Sequence, residues 1–252
     1  MKLNEIAKRS LGILLVFSMV LGGLYINGTS VKAEETLKAN KEVKGTILEG
    51  QSITYNFTMP KKGYFSFRLS SSLDFLRVTM KVNYKTWEND EIVNCNNLYT
   101  SSYYSFKPGT KVQITLASTY YDKKDYTLCV DVKNVTNFES ESNDKRSQAN
   151  TIKLKKTYTG LIMSEDADWY VFKAPKKGKY KIVGVNTTRD YVNYATYRGY
   201  KAISHDELGE GNGYKTLFSG KLKKGQKIYL KISYDSLSAA KGVFYKIKVK
   251  KK

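Results

Sequence analysis

Beyond its first thirty or so residues the chain alternates. Apolar side chains recur at every second position in Ile53, Tyr55 and Phe57, in Phe65, Phe67 and Leu69, in Tyr180 and Ile182, in Ile228, Leu230 and Ile232, and in Phe244 (or Tyr245), Ile247 and Val249. Period-two alternation puts one face of a strand on a core and the other in water, and with turn signals between the runs it predicts half-buried antiparallel strands. The helical i, i+3, i+4 pattern is absent from this part. Tyr191, Tyr194, Tyr197 and Tyr200 are three apart, which has a helical look, but Val192, Tyr194 and Thr196 also share one strand face and their β-branched neighbours favour the strand.

The beginning has a different pattern. Lys2, Lys8 and Arg9 precede the almost wholly apolar run Leu11–Ile26, and Val31-Lys32-Ala33 follows. A basic start, a short apolar run and a small-x-small end read as a secretory signal peptide over 1–33, with cleavage after Ala33. The run is 16 residues long, short of the roughly 20 that span a bilayer. The expected mature protein is therefore exported and has no transmembrane span.

The alternating part repeats itself. Shifted by 115 residues, Gly45–Gly63 matches Gly160–Gly178 without gaps at eight of nineteen positions, including the turn Pro60-Lys61-Lys62-Gly63 against Pro175-Lys176-Lys177-Gly178. Lys107–Leu116 parallels Lys223–Ile232, and Tyr126–Val130 parallels Tyr245–Val249. This predicts two tandem β-sandwich domains, 36–136 and 137–252, the second opening on an acidic linker, 137–150.

Composition narrows the chemistry. The 13% aromatic content, with 21 Tyr and 10 Phe, argues against disorder. One His and two Cys exclude a His-cluster or zinc-ribbon site. Lys and Arg exceed Asp and Glu by 20, and removing the signal segment leaves +17, which points to an anionic partner without naming it. Cys95 and Cys129, 34 residues apart, read first as a disulfide in an exported protein; two buried thiols are the alternative.

In so basic a chain the acids stand out. Glu139, Glu141 and Asn143 project to one side of an extended segment, with Asp144 following, and Glu165 and Asp168 lie in the loop before Trp169-Tyr170-Val171-Phe172. Together these six residues offer the oxygen donors that a hard cation such as Ca²⁺ prefers. The repeat is a control: Glu165 and Asp168 correspond to Gly50 and Ile53, and no E-x-E-x-N-D segment precedes the first copy. A cation site would therefore belong to the second copy alone.

The run E-S-E-S-N-D, A-N-T-I, Y-T-G-L-I and E-D-A-D-W-Y-V-F-K-A-P-K-K-G-K-Y-K-I, over residues 137–183, together with the strand Lys227–Ile232, resembles the bacterial pre-peptidase C-terminal domain family. That family includes the calcium- and collagen-binding domains of clostridial collagenases. The first copy keeps the strands and turns but not the acids. The resemblance implies a jelly-roll β-sandwich, a secreted or cell-surface bacterial setting, and one cation shared by linker and loop. Glu139, Glu141, Asn143, Asp144 and Asp168 match the family's acidic positions, while Glu165 stands where Asp is usual.

Collagen-binding relatives carry tyrosines on the outward face of a strand resembling Leu230–Asp235. Here only Tyr229 is outward and aromatic, so that pattern is not reproduced. Tyr191, Tyr194 and Tyr197, with Arg189 and Arg198 nearby, form a further candidate ligand surface with Tyr229. Tyr103-Tyr104 and Tyr120-Tyr121 are others. The terminal lysines 246, 248, 250, 251 and 252 read first as protection of a sheet edge, with contact to an anionic polymer as the alternative. His205 sits in a loop-like Ser204-His-Asp-Glu, where consecutive side chains cannot form a triad, and no hydrolase, metalloprotease or phosphate-loop motif occurs. The expectation is a secreted, non-catalytic binding module for an extracellular protein or polysaccharide, stabilised by calcium. The alternatives are a protein held electrostatically on anionic cell-wall polymer, or an accessory partner of a secreted protease. Nucleic acid is a poor fit to an exported chain.

Overall fold

Side chains that alternate in the sequence converge on two separate cores. Tyr55, Phe57, Phe65, Phe67 and Leu69 are buried in one, and Tyr180, Ile182, Ile228, Leu230, Ile232, Tyr245, Ile247 and Val249 in the other. The computed structural model describes residues 34–72, 75–83, 85–95, 98–118, 123–163, 166–188, 191–211, 213–234 and 242–252. The expected signal peptide, Glu165, Arg189 and Tyr120-Tyr121 lie outside them.

The first core is enclosed by β1 (Glu34–Thr36), β2 (Glu42–Ile47), β3 (Ser52–Thr58), β4 (Gly63–Ser71), β5 (Phe75–Val82), β6 (Lys85–Asn94), β7 (Tyr99–Thr100), β8 (Lys111–Ala117) and β9 (Lys124–Asn134). The second is enclosed by β10 (Asn150–Ile152), β11 (Thr157–Ile162), β12 (Ala167–Lys173), β13 (Gly178–Asn186), β14 (Val192–Arg198), β15 (Lys201–Leu208), β16 (Lys215–Leu222), β17 (Lys227–Ser233) and β18 (Val243–Lys251). One 3₁₀ turn, Arg146–Gln148, precedes β10. The protein is thus an all-β sandwich fold.

Strand order in the second set copies the first. The sheets β1-β3-β8-β5-β6 and β2-β9-β4-β7 are answered by β10-β12-β17-β14-β15 and β11-β18-β13-β16. Pairing is antiparallel except for two equivalent three-residue contacts, β1 with β3 and β10 with β12, which are parallel.

A repeated device underlies the repeated sequence. Gly45 lies against the Tyr126 ring and Gly160 against the Tyr245 ring, so closely that a Cβ at either would collide with it. Each ring turns edge-on to a second tyrosine, Tyr55 and Tyr170, with centroids 6.3 Å apart in both pairs. The two sets meet through aromatic side chains: Tyr64 lies 4.6 Å from Phe244, 5.4 Å from Tyr103 and 6.0 Å from Phe138.

Three expectations are corrected. Cys95 and Cys129 are buried and form no disulfide. Cys95 belongs to the first core, whereas Cys129 alternates with the inward Leu128 and Val130 and reaches Asp131 at 3.6 Å on the other face of its sheet. The sheet itself separates the two sulfurs. The terminal lysines do not guard an edge, because β18 lies between β11 and β13. The segment around His205 is not a loop but β15, where Ser204, His205 and Asp206 alternate and the Asp206 carboxylate pairs with Lys215 at 2.6 Å. Among the described residues no helix is long and apolar enough to cross a membrane.

Candidate functional site

The acidic linker is held as a short extra strand. Phe138 bridges Thr159 in parallel, Glu139 N donates to Thr159 O at 3.0 Å, and Thr159 N donates to Asn137 O at 3.3 Å. Trp169 N then donates to Asn143 O at 2.9 Å, tying the linker to β12. These contacts bring Glu139, Glu141 and Asp168 together, each with a carboxylate oxygen within 4.8 Å of the others.

Burial is severe. Asp168 and Asn143 are 0% exposed and Glu139 is 3% exposed. Leu161 N donates to Glu139 Oε1 at 2.6 Å, the Tyr170 hydroxyl donates to Glu139 Oε2 at 2.9 Å, and the Tyr245 oxygen lies 3.2 Å from that same atom. Tyr245 also donates to Asp168 Oδ2 at 2.5 Å. Asp168 Oδ1 and both polar atoms of the Asn143 side chain have no protein partner. Orphaned buried oxygens beside clustered carboxylates are a costly arrangement unless a cation completes it.

The acidities agree. Desolvation, then Glu141, pushes Glu139 up to about 8; desolvation, then Asp168 and Asp166, pushes Glu141 up to about 9. Burial, followed by Glu139, holds Asp168 well above the ordinary carboxylate range. Glu139 and Asp168 repel one another across the cluster, and a hard divalent ion would offset that charge. The donor set is all oxygen and mixes carboxylate with amide, which fits Ca²⁺.

Of the residues expected from sequence, Glu139, Glu141 and Asp168 form the cluster and Asn143 is buried beside it. Asp144 is exposed and faces, with Glu141 and Asp166, a cleft of about 660 Å³ between the two sets of strands. Asp166 was not among the expected donors. Its carboxylate accepts from Ala167 N at 2.7 Å and Met163 N at 3.4 Å, and it presses on Glu141 electrostatically. An acid two residues before Asp168 on the same strand face was the available signal.

The opposite side of β12 carries a second constellation. Trp169 lies 5.3 Å from Tyr197, and Tyr197 is in register with Tyr229 on β17. Arg146, from the 3₁₀ turn after the acidic linker, sits 3.9 Å over the Tyr229 ring and 4.7 Å over that of Tyr200, and donates to Gly199 O. Tyr197 and Tyr229 therefore share a face with Trp169, Arg146 and the 94%-exposed Tyr200. Tyr194 is excluded from it, because the alternation turns it into the core at 4% exposure. Tyr191 is exposed at the strand's entry, with its ring over Gly209. Tyr104 is core, and Tyr103 belongs to the aromatic contact between the two sets.

No family model matches this chain, and no curated protein does. Among solved structures, the pre-peptidase C-terminal domain of a collagenase from Bacillus anthracis is 16% identical, with a TM-score of 0.33, covering 42% of this chain and 99% of that one. The CUB1-EGF-CUB2 region of human MASP-1/3 is 8% identical, with a TM-score of 0.27, covering 82% and 99%. The tandem CBM22 domains of Xyn10C from Paenibacillus barcinonensis are 10% identical, with a TM-score of 0.26, covering 77% and 80%. Likenesses of this size carry nothing about ligand or activity.

Proposed function

We propose that the protein is an exported, non-catalytic binding module made of two copies of one β-sandwich domain, 36–136 and 137–252, with Ca²⁺ held at the acidic junction of the second. The observation that carries this reading is the meeting of Glu139, Glu141 and Asp168 around an Asp168 oxygen that has no partner. Glu139, Glu141, Asn143 and Asp168 would hold the ion, with Asp144 and Asp166 beside it. The ion would fasten the linker to β12 and so fix Asn143 against Trp169. The ligand face is the aromatic surface of Trp169, Tyr197, Tyr229 and Tyr200 around Arg146. Aromatic area with one cation suits an extended extracellular protein or polysaccharide.

The test is calorimetric titration of Ca²⁺ into chelator-treated protein, followed by pull-down on fibrillar collagen and on insoluble polysaccharides with calcium or chelator. Heat of binding in the wild type that vanishes in Asp168→Asn supports the ion. Capture lost in Trp169→Ala supports the face. No heat at millimolar Ca²⁺ removes the ion, and capture indifferent to Trp169 removes the face.

A further inference from the structure

The outward face of the sheet β11-β18-β13-β16 carries lysine and no acid. Tyr245, Ile247 and Val249 are buried in the core, so Lys246, Lys248 and Lys250 project from the other side of β18. The registers set Lys181 opposite Lys250 and Lys179 opposite Lys221. The other outward positions of β11 and β16 include Thr157, Thr159, Thr216 and Ser219. Among the described residues none of these six lysines has a carboxylate partner, and Lys250 leans only over the ring of Tyr214, at 5.7 Å.

The first set of strands shows that the fold does not require this. There the pair equivalent to Lys181 and Lys250 is Ser66 and Asp131, and Asp131 takes Arg68 in a two-point ion pair at 2.5 and 3.2 Å. Like charges directly opposite each other weaken a sheet. The second set therefore keeps in the middle of its sheet a repulsion that the first set avoids. That repulsion is relieved when an anion lies across the face.

We propose that this face docks a linear phosphodiester polymer of the poly(glycerol phosphate) kind found outside bacterial cells. Lysines two residues apart on a strand are roughly 6.7 Å apart, and adjacent strands are about 4.8 Å apart. The result is a grid of point charges suited to a flexible chain with a phosphate in every repeat. The grid contains no arginine, so it lacks the planar fork that reads carboxylates or bases. Beside it Tyr214 is 42% exposed under Lys250, and Phe244 at its end is engaged by Tyr64, so lysine charge rather than apolar area dominates the face. This inference does not depend on the calcium reading.

The test uses the secreted chain with chelator present, so that failure of the ion leaves it intact. Binding to purified poly(glycerol phosphate) is measured at about 50 and about 300 mM salt, beside anionic lipid vesicles and heparin. Two variants remove the same charge: Lys181→Gln, Lys248→Gln and Lys250→Gln on the face, and Lys38→Gln, Lys61→Gln and Lys62→Gln elsewhere, both checked by thermal melting. The expected result is binding that weakens with salt, falls about tenfold or more in the face variant, and changes less than about threefold in the other. Equal losses in the two variants would overturn the proposal, as would no binding by the wild type or a preference for vesicles or heparin.

Discussion

Tyr245 donates to Asp168 Oδ2 at 2.5 Å, whereas its equivalent Tyr126 meets the hydroxyl of Tyr55 at 2.5 Å with Ile53 standing where Asp168 would be. The tyrosine pair and its glycine are thus common to the two sets of strands, and carboxylates bonded to the pair are found in the second. In both copies burial comes first among the causes that raise the tyrosine acidities. Among the raising causes Glu35 follows it in the first set, and Asp168 and Glu139 in the second. The proposed cation site is a carboxylate cluster set on a polar contact between two sheets.

That setting makes Asp168 a residue whose effect changes sign with the metal. In chelator, Asp168→Asn removes a buried, repelled carboxylate without changing its shape, and melting should rise by the equivalent of about 1 kcal/mol. With Ca²⁺ at about 100 times its dissociation constant the wild type should gain about 2.7 kcal/mol, and the variant should gain none. Paired melting curves with and without Ca²⁺ check both. A wild-type curve that ignores Ca²⁺ would sink the site.

The pH dependence follows from the same acids. Glu139 and Glu141 are raised from their ordinary value of 4.5 to about 8 and about 9. Between those limits the folded, metal-free protein holds protons that the unfolded chain has released, so ν for the unfolded state is the smaller and stability falls as pH rises. Stability contributed by these groups should be full below about pH 4.5 and lost through pH 8–9. Calcium competes with those protons, so its affinity should climb over the same interval. Denaturant midpoints from pH 5 to pH 9, with chelator and with Ca²⁺, should slope downward in the first series and stay flat in the second.

Much of this was legible before any coordinates, and what was not has a common cause. Strand existence, inward faces and the repeat depend on neighbours in sequence, and Tyr55, Phe67, Leu230 and Ile247 lie inside as the alternation requires. Sheet order does not depend on neighbours. Lys246–Lys252 read as an edge because they end the chain, yet β18 is inserted between β11 and β13. Cys95 and Cys129 read as a pair because they are two, yet a sheet face divides them. Arg146 could not be tied to Tyr229 because 83 residues separate them in sequence. Trp169 could have been placed: if Asp168 points in, the next residue of a strand points out.

The two glycines provide a matched pair of tests. Gly160→Ala and Gly45→Ala each drive a methyl group into a tyrosine ring, and overpacking of this kind costs typically 1–3 kcal/mol. The stability losses should be similar. Only Gly160→Ala should also weaken Ca²⁺, because the ring it displaces is the one bonded to Glu139 and Asp168. Calorimetry on both variants separates the effects, and equal weakening would mean that the tyrosine hydroxyl does not organise the site.

The lysine face makes the opposite kind of prediction, a gain in stability. Lys250→Glu sets an acid opposite Lys181 and replaces a repelling cross-strand pair by an attracting one, worth roughly 0.2–1 kcal/mol. The variant should melt slightly higher at low salt, with the advantage shrinking as salt is added. A variant less stable than wild type would show that Lys250 contributes through its position over Tyr214 rather than through charge.

The two sets of strands bring different side chains to their contact. Phe244, Leu161 and Val185 of the second set correspond to Asp125, Thr46 and Ser70 of the first, and Tyr64 of the first corresponds to Lys179 of the second. Tyr64 and Phe244, 4.6 Å apart, should then be coupled: a double-mutant cycle of Tyr64→Ala and Phe244→Ala should return about 0.5–1.5 kcal/mol of interaction energy. Phe244→Asp, which copies Asp125, should loosen the junction further, visible as faster proteolysis within the linker 137–150. Strict additivity in the cycle would mean that the two sets are held together by the linker alone.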